Sequence, residues 1–261
     1  MTTNLGLERI DRVLVVTLNR PDQMNALSSA LMIELGQTIG DAVSDESIHV
    51  VIITGAGAAF SAGADLKEAL ASSSDPEKFG ATLVAWRDVF LSIEQCPKPV
   101  IAGVNGVTIA GGLELALSCD LIIASSAARI GDGHINYGLV PGGGGSQRLP
   151  DAIGTRKARW MMYTGTMLNA ERALEIGLVQ QVIDESQFHE VLLETARLMS
   201  LRSLPALAFM KHQTTAKAVT REGLDLEIKA AVDVVMGPDA REGLTAFTER
   251  RAPCFPAPAT S

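Results

Sequence analysis

The stretch VTIAGGLE at residues 107–114 constrains this chain most, because it follows the apolar run PVIAGV at 99–104. The apolar run predicts a buried strand, and the glycine pair predicts a turn into a helix. The first backbone N–H groups of a helix have no partner within it, so they can hold an oxyanion. Glu114 then lies one turn away and can act as base or acid. It can equally be only a favourable charge at a helix start.

A second turn of small residues follows another apolar run. The run VVIIT at 50–54 predicts a buried strand, and FSAGADL at 60–66 predicts a turn that leads into a helix. Two such turns can direct two N–H donors from different parts of the chain to one oxygen. The enolate of a thioester needs such an arrangement.

With these turns and four further motifs, the chain resembles the crotonase superfamily, the enoyl-CoA hydratases and isomerases, over residues 14–255. The motifs stand in the order of the family: NRPDQMNAL (19–27), FSAGADL (60–66), KPVIAGVNG (98–106), AGGLE (110–114), CD (119–120) and LVPGGGGSQR (139–148). The resemblance implies an α/β fold, a crotonase-like spiral of ββα units in residues 1–195. It also implies a C-terminal helical region, 196–261, that forms a homotrimer or a hexamer of two trimers.

The same resemblance implies an oxyanion hole made by the N–H groups of Ala64 and Gly111, with Glu114 as the first catalytic glutamate. It implies an acyl-CoA thioester as substrate, no metal, and no cofactor other than the coenzyme A of the substrate itself. The residues implied for coenzyme A binding are Ala62, Asp65, Leu66, Lys67 and Arg250, the last in the same subunit or a neighbouring one. Lys67 and Arg250 can equally be ordinary surface charges.

His134 is the main departure from the family pattern, since hydratases of this family carry their second catalytic glutamate there. A Glu114/His134 pair can add water to a 2-enoyl-CoA with either member as base, because imidazole titrates near neutral pH. The alternatives are hydrolysis of a thioester or of a C–C bond, double-bond isomerisation, a structural histidine beside an active Glu114, and a non-catalytic acyl-CoA-binding protein. Asp132 and Tyr137 are near His134 in sequence and can contribute, although an Asp in a Gly-Asp-Gly sequence is typical of a turn.

Net charge and missing motifs argue against several other classes of function. The 261 residues carry a net charge of −8 without a basic stripe, which argues against a nucleic-acid partner. The run GAGAAF at 55–60 lacks the last glycine of a dinucleotide fingerprint, the run GGGGSQ at 142–147 lacks a P-loop lysine, and no GxSxG elbow is present. Three separated cysteines, no basic leader and no apolar run of about 20 residues favour a reducing, cytoplasmic location without a membrane partner.

Periodicity predicts a strand at 13–18, helices at 30–39 and 81–93, and a surface loop at 71–78. From residue 187 onward the pattern is mostly helical, with breaks at Pro205 and at Gly237-Pro238, and the tail from Pro253 is expected to fray. Apolar positions at helical spacing in this region are expected to form a partner surface. They are Leu192, Leu193, Ala196, Leu224, Ile228, Val232 and Val235.

Overall fold

Strands of two sheets alternate along the chain in the computed structural model, which describes residues 4–215 and 221–253. The ten strands are β1 (Leu5–Ile10), β2 (Val13–Leu18), β3 (Val50–Gly55), β4 (Ala59–Ser61), β5 (Val100–Val104), β6 (Val107–Ile109), β7 (Leu121–Ser125), β8 (Arg129–Gly131), β9 (Leu168–Asn169) and β10 (Gln181–Ile183). The larger sheet has the order β1-β2-β3-β5-β7-β10, and the smaller has the order β4-β6-β8-β9.

Parallel pairing dominates both sheets. Only the pairs β1–β2 and β8–β9 are antiparallel among the described strands. Three strands of the large sheet, β3, β5 and β7, are each followed by a strand of the small sheet and then by a helix or a short helical turn, so this part of the chain advances in ββα units. This α/β spiral agrees with the fold class that the sequence predicts.

Eleven α-helices complete the described chain. They are α1 (Ser29–Ser44), α2 (Leu66–Ser72), α3 (Pro76–Gln95), α4 (Gly111–Leu117), α5 (Gly145–Ile153), α6 (Thr155–Thr164), α7 (Ala170–Glu175), α8 (Phe188–Ser200), α9 (Leu204–Thr215), α10 (Arg221–Val235) and α11 (Pro238–Thr248). The main core lies between the two sheets and α1, α3 and α4, while α8 packs on the other face of the large sheet. No helix of the described residues is long and apolar enough to cross a bilayer.

The predicted loop at 71–78 is wrong over most of its length. Helix α2 continues to Ser72 and α3 already begins at Pro76, so only three residues connect them. The residues that suggested a loop are instead those of a helix start. The Asp75 carboxylate accepts the Lys78 N–H at 3.0 Å as the N-cap, and Pro76 occupies the first helical position. The strand at 13–18 is confirmed, and both predicted helices extend beyond their predicted ends.

The predicted boundary between the two regions, at 195/196, lies inside α8. The helical pattern is interrupted at 201–203, just before the predicted break, and Pro205 lies in the first turn of α9. The predicted break at Gly237-Pro238 is confirmed, because Gly237 caps α11. Residues 254–261 of the tail lie outside the described residues.

The proposed partner surface is not exposed in the single chain. Leu192 and Ala196 are buried against the large sheet, and Leu224, Ile228 and Val235 are buried by packing that involves α3 and α11. The apolar face is covered because the C-terminal helices fold back on their own subunit. The expectation of an apolar partner surface at these positions is therefore wrong, and the homotrimer or hexamer stays a prediction.

Candidate active site

The first turn lies between β4 and α2 and is held by the backbone of Leu27. The Leu27 N–H donates to the Gly63 carbonyl at 2.8 Å, and the Asp65 N–H donates to the Leu27 carbonyl at 2.9 Å. These two bonds flank Ala64, whose own N–H has no acceptor within the described residues. A backbone N–H without a protein partner is available to a ligand oxygen.

The second turn places Gly111 at the first position of α4, where the N–H has no acceptor inside the helix. A Cβ built on Gly111 lies 3.5 Å from the Ala64 nitrogen, and one built on Gly63 lies 3.1 Å from the Gly111 nitrogen. Because a Cβ lies about 2.5 Å from its own nitrogen, the nitrogens of Ala64 and Gly111 are within about 6 Å of each other. Two donors at this separation can share one oxygen.

Ala110 joins β6 to α4 in a backbone conformation that favours glycine. Its φ of 52° and ψ of −121° are rare for a residue with a side chain, and such strain costs about 1–3 kcal/mol. The Ala110 N–H donates to the Asp132 carbonyl at 2.9 Å and also to the Gly131 carbonyl. The segment after β8 therefore holds the turn that presents Gly111.

Glu114 is buried, with 3% of its surface exposed, on the first turn of α4. Its Oε1 accepts the N–H of Gly143 at 2.8 Å and of Gly145 at 2.9 Å. A Cβ on Gly143 would lie 2.8 Å from Oε2 and 2.6 Å from the Phe90 ring. The glycine run thus lets the backbone approach the carboxylate closely and fix it, a role that sequence reasoning missed although four consecutive glycines signalled a close approach.

His134, which is half-buried, forms a carboxylate–imidazole pair with Asp132. The His134 Nδ1 lies 3.1 Å from the Asp132 Oδ2, and Asp132 is only 2% exposed. An ionised carboxylate only accepts hydrogen bonds, so Nδ1–H is the donor in this bond. Asp132 is therefore more than the turn former that its Gly-Asp-Gly sequence predicts. The spacing of the two residues, two positions apart, was the available signal.

The Asp65 carboxylate is fully engaged within the protein. Its Oδ1 accepts the Lys67 N–H and caps α2, and its Oδ2 accepts a hydrogen bond from Arg20 at 2.8 Å. Burial alone would raise the pKa of Asp65, but the bond and charge of Arg20 outweigh it and the pKa is lowered. The side chain thus stabilises the turn before α2.

The other residues expected to bind coenzyme A lie around this turn, except Arg250, which lies near the end of the described residues. Ala62 donates its N–H to the Met24 carbonyl at 2.9 Å, Leu66 is half-buried, and Lys67 is exposed. Arg250 is exposed in the turn after α11, and α11 itself packs against the short helical turn His134–Tyr137. Their contacts with coenzyme A stay predictions.

Comparison with known proteins agrees with this geometry. A family model described as enoyl-CoA hydratase/isomerase matches residues 8–258. The short-chain-enoyl-CoA hydratase of Clostridium acetobutylicum is 36% identical over 253 residues, 95% of each chain, and the 2,3-dehydroadipyl-CoA hydratase of Escherichia coli is 36% identical over 97% of this chain and 98% of its own.

Solved structures show the same similarity. An enoyl-CoA hydratase from Mycobacterium avium subsp. paratuberculosis superposes with a TM-score of 0.88 at 30% identity, covering 97% of this chain and 99% of that one. One from Bacillus anthracis has a TM-score of 0.79 at 36% identity, covering 97% and 98%. The chain therefore belongs to the enoyl-CoA hydratase/isomerase family of the crotonase superfamily.

Proposed function

We propose that this protein is an acyl-CoA enzyme that adds water to a 2-enoyl-CoA. The observation that carries the proposal is the approach of the Ala64 and Gly111 N–H groups beside a buried glutamate on the same helix as Gly111. Two N–H donors on the thioester oxygen stabilise the enolate that forms when a nucleophile adds to the β-carbon, and each such donor contributes about 100-fold to the rate. The relatives named as enoyl-CoA hydratases support the same reaction.

Glu114 and His134 then divide the proton transfers. Glu114 accepts a proton from water as the water oxygen bonds to the β-carbon, and the π electrons move to the thioester oxygen as an enolate. The Nε2–H of protonated His134 gives its proton to the α-carbon as the carbonyl re-forms. Asp132 orients His134 and stabilises the charged ring, while the two glycine N–H groups hold Glu114 in one position.

Hydrolysis is the second candidate, and the Asp132–His134 pair favours it specifically. With Asp132 on Nδ1, a neutral His134 presents a basic Nε2, which can activate water for attack on a carbonyl carbon. The same oxyanion hole would then hold the oxygen of a tetrahedral intermediate. Thioester hydrolysis releases free coenzyme A thiol, whereas hydration leaves the thioester intact.

Product analysis with crotonyl-CoA separates the two candidates. We expect loss of the conjugated enoyl thioester and formation of 3-hydroxybutanoyl-CoA by mass spectrometry, without release of thiol. Thiol release at the rate of substrate loss would favour hydrolysis. Absence of any reaction across short and long enoyl-CoA thioesters would contradict both.

We also propose that Lys67 and Arg250 bind the phosphates of coenzyme A. The reaction then uses no cofactor other than the coenzyme A of the substrate, and the protein acts in the cytoplasm as a homotrimer or a hexamer. Both side chains are exposed, and local cations are needed because the chain is acidic overall. Replacement of both by Ala should raise the KM for a coenzyme A thioester several-fold more than for a pantetheine thioester without the 3′-phosphate. An equal rise for both substrates would contradict the phosphate role.

A further inference from the structure

Trp86 on α3 lies against the second turn, the one that presents Gly111. A Cβ built on Gly111 would lie 3.2 Å from the Cζ3 of Trp86 and 3.5 Å from the Ala64 nitrogen. The indole is 94% buried and packs edge-on against Phe90, with ring centroids 6.4 Å apart. Its six-membered ring therefore lies beside the turn that presents Gly111.

The same side chain also lines an apolar groove between α1 and α3. This α1–α3 groove has a volume of about 360 Å³ and is mostly apolar, with Met32, Ile33, Ala85 and Val89 among its walls. A Cβ on Gly36 of α1 would lie 3.1 Å from Val89 of α3, so the two helices are in contact beside it. Trp86 thus borders both the turn that presents Gly111 and an apolar groove.

The indole N–H of Trp86 has no acceptor within the described residues, although it is buried. A buried donor without a partner costs about 1–3 kcal/mol, so a purely apolar side chain would serve a packing role at lower cost. The contacts that Trp86 does make are those of its ring.

We propose that Trp86 sets the length of the acyl group by closing the thioester site toward the α1–α3 groove. Wild-type protein then takes short 2-enoyl-CoA substrates, and a smaller residue at position 86 joins the two spaces so that a longer hydrocarbon chain can enter the groove. This inference rests on the proposed function and adds the substrate class and the residue that selects it.

The test compares the kcat/KM for four-carbon and twelve-carbon 2-enoyl-CoA in wild type, Trp86→Phe and Trp86→Ala. Discrimination of one methylene group in an apolar pocket is worth about 10-fold or more, so we expect wild type to favour the short substrate at least about 10-fold. Trp86→Ala should reduce that preference about 10-fold, with Trp86→Phe between the two. Trp160→Ala is the matched control, because Trp160 is half-exposed on α6, and it should keep the wild-type ratio.

Equal use of both chain lengths by wild type would overturn the proposal, as would an unchanged preference in folded Trp86 variants. Thermal melts establish folding, and Trp86→Phe keeps the test valid if Trp86→Ala does not fold. If neither wild type nor any variant hydrates a thioester, the proposed function fails. The role of Trp86 is then decided by binding: the ratio of the affinities for butanoyl-CoA and dodecanoyl-CoA should favour butanoyl-CoA in wild type, and less so in Trp86→Ala. If neither thioester binds, both proposals are overturned.

Discussion

Glu114 is the proposed base, and its hydrogen bonds to the backbone allow that role to be tested by a conservative substitution. Glu114→Gln keeps the shape of the side chain and an oxygen that can accept the Gly143 and Gly145 N–H groups, but removes the base. We expect kcat to fall at least about 100-fold, with the affinity for a saturated acyl-CoA nearly unchanged. Calorimetry and steady-state kinetics measure the two quantities, and a kcat within a few-fold of wild type would contradict the role of Glu114.

Asp132 positions His134, so its replacement tests the pair without removing the imidazole. Asp132→Asn keeps the volume but presents either an amide oxygen or an NH₂ group to Nδ1, and the amide donor favours the tautomer with the proton on Nε2. We expect a loss of at least about 100-fold in kcat, together with a changed pH profile, because the group that stabilises the charged ring is gone.

His134→Ala completes this test. A similar loss of kcat is expected if His134 touches the substrate, and an unchanged kcat would show that it is a structural replacement with Glu114 acting alone. Unaltered thermal stability in both variants would assign the losses to chemistry rather than to folding.

At the scale of elements, α8 is fixed to the large sheet by close packing. Leu192 lies so near β5 that a Cβ on Gly103 would be 2.4 Å from its Cδ2, and Leu192 is only 2% exposed. Leu192→Ala should lower the free energy of unfolding by about 2–5 kcal/mol, as measured by urea denaturation. Leu198→Ala is the control, because Leu198 on the same helix is more than half exposed. A loss below about 1 kcal/mol would contradict this packing.

The strands and the helix starts could be predicted from the sequence because apolar runs and small-residue turns are local signals. The boundaries of α3 could not, since Asp75 and Pro76 serve equally in a loop or as the first residues of a helix. In the site, the Ala64 and Gly111 turns followed from the chain itself. The two N–H groups on Glu114 did not, because they come from a separate segment of the chain. The Asp132–His134 pair had a local signal, the spacing of two positions between its members.

At the scale of the whole molecule, the exposed apolar surface differs from the predicted one. Leu201, Phe209 and Met210, in α9 or just before it, are 76%, 65% and 54% exposed, and an exposed apolar patch is typical of a surface that binds another protein. We expect light scattering to give a mass three or six times the 27.6 kDa of the chain. Phe209→Glu should reduce that mass, and a wild-type mass near 27.6 kDa would contradict the homotrimer and the hexamer.

A crystal structure with a bound substrate analogue, such as butanoyl-CoA, tests the central claim most directly. The quantities to measure are the distances from the thioester oxygen to the Ala64 and Gly111 nitrogens. We predict that both are about 3 Å, and that the carboxylate of Glu114 and the imidazole of His134 face the acyl carbons. A thioester oxygen bound elsewhere, or an acyl group remote from Glu114, would contradict the account.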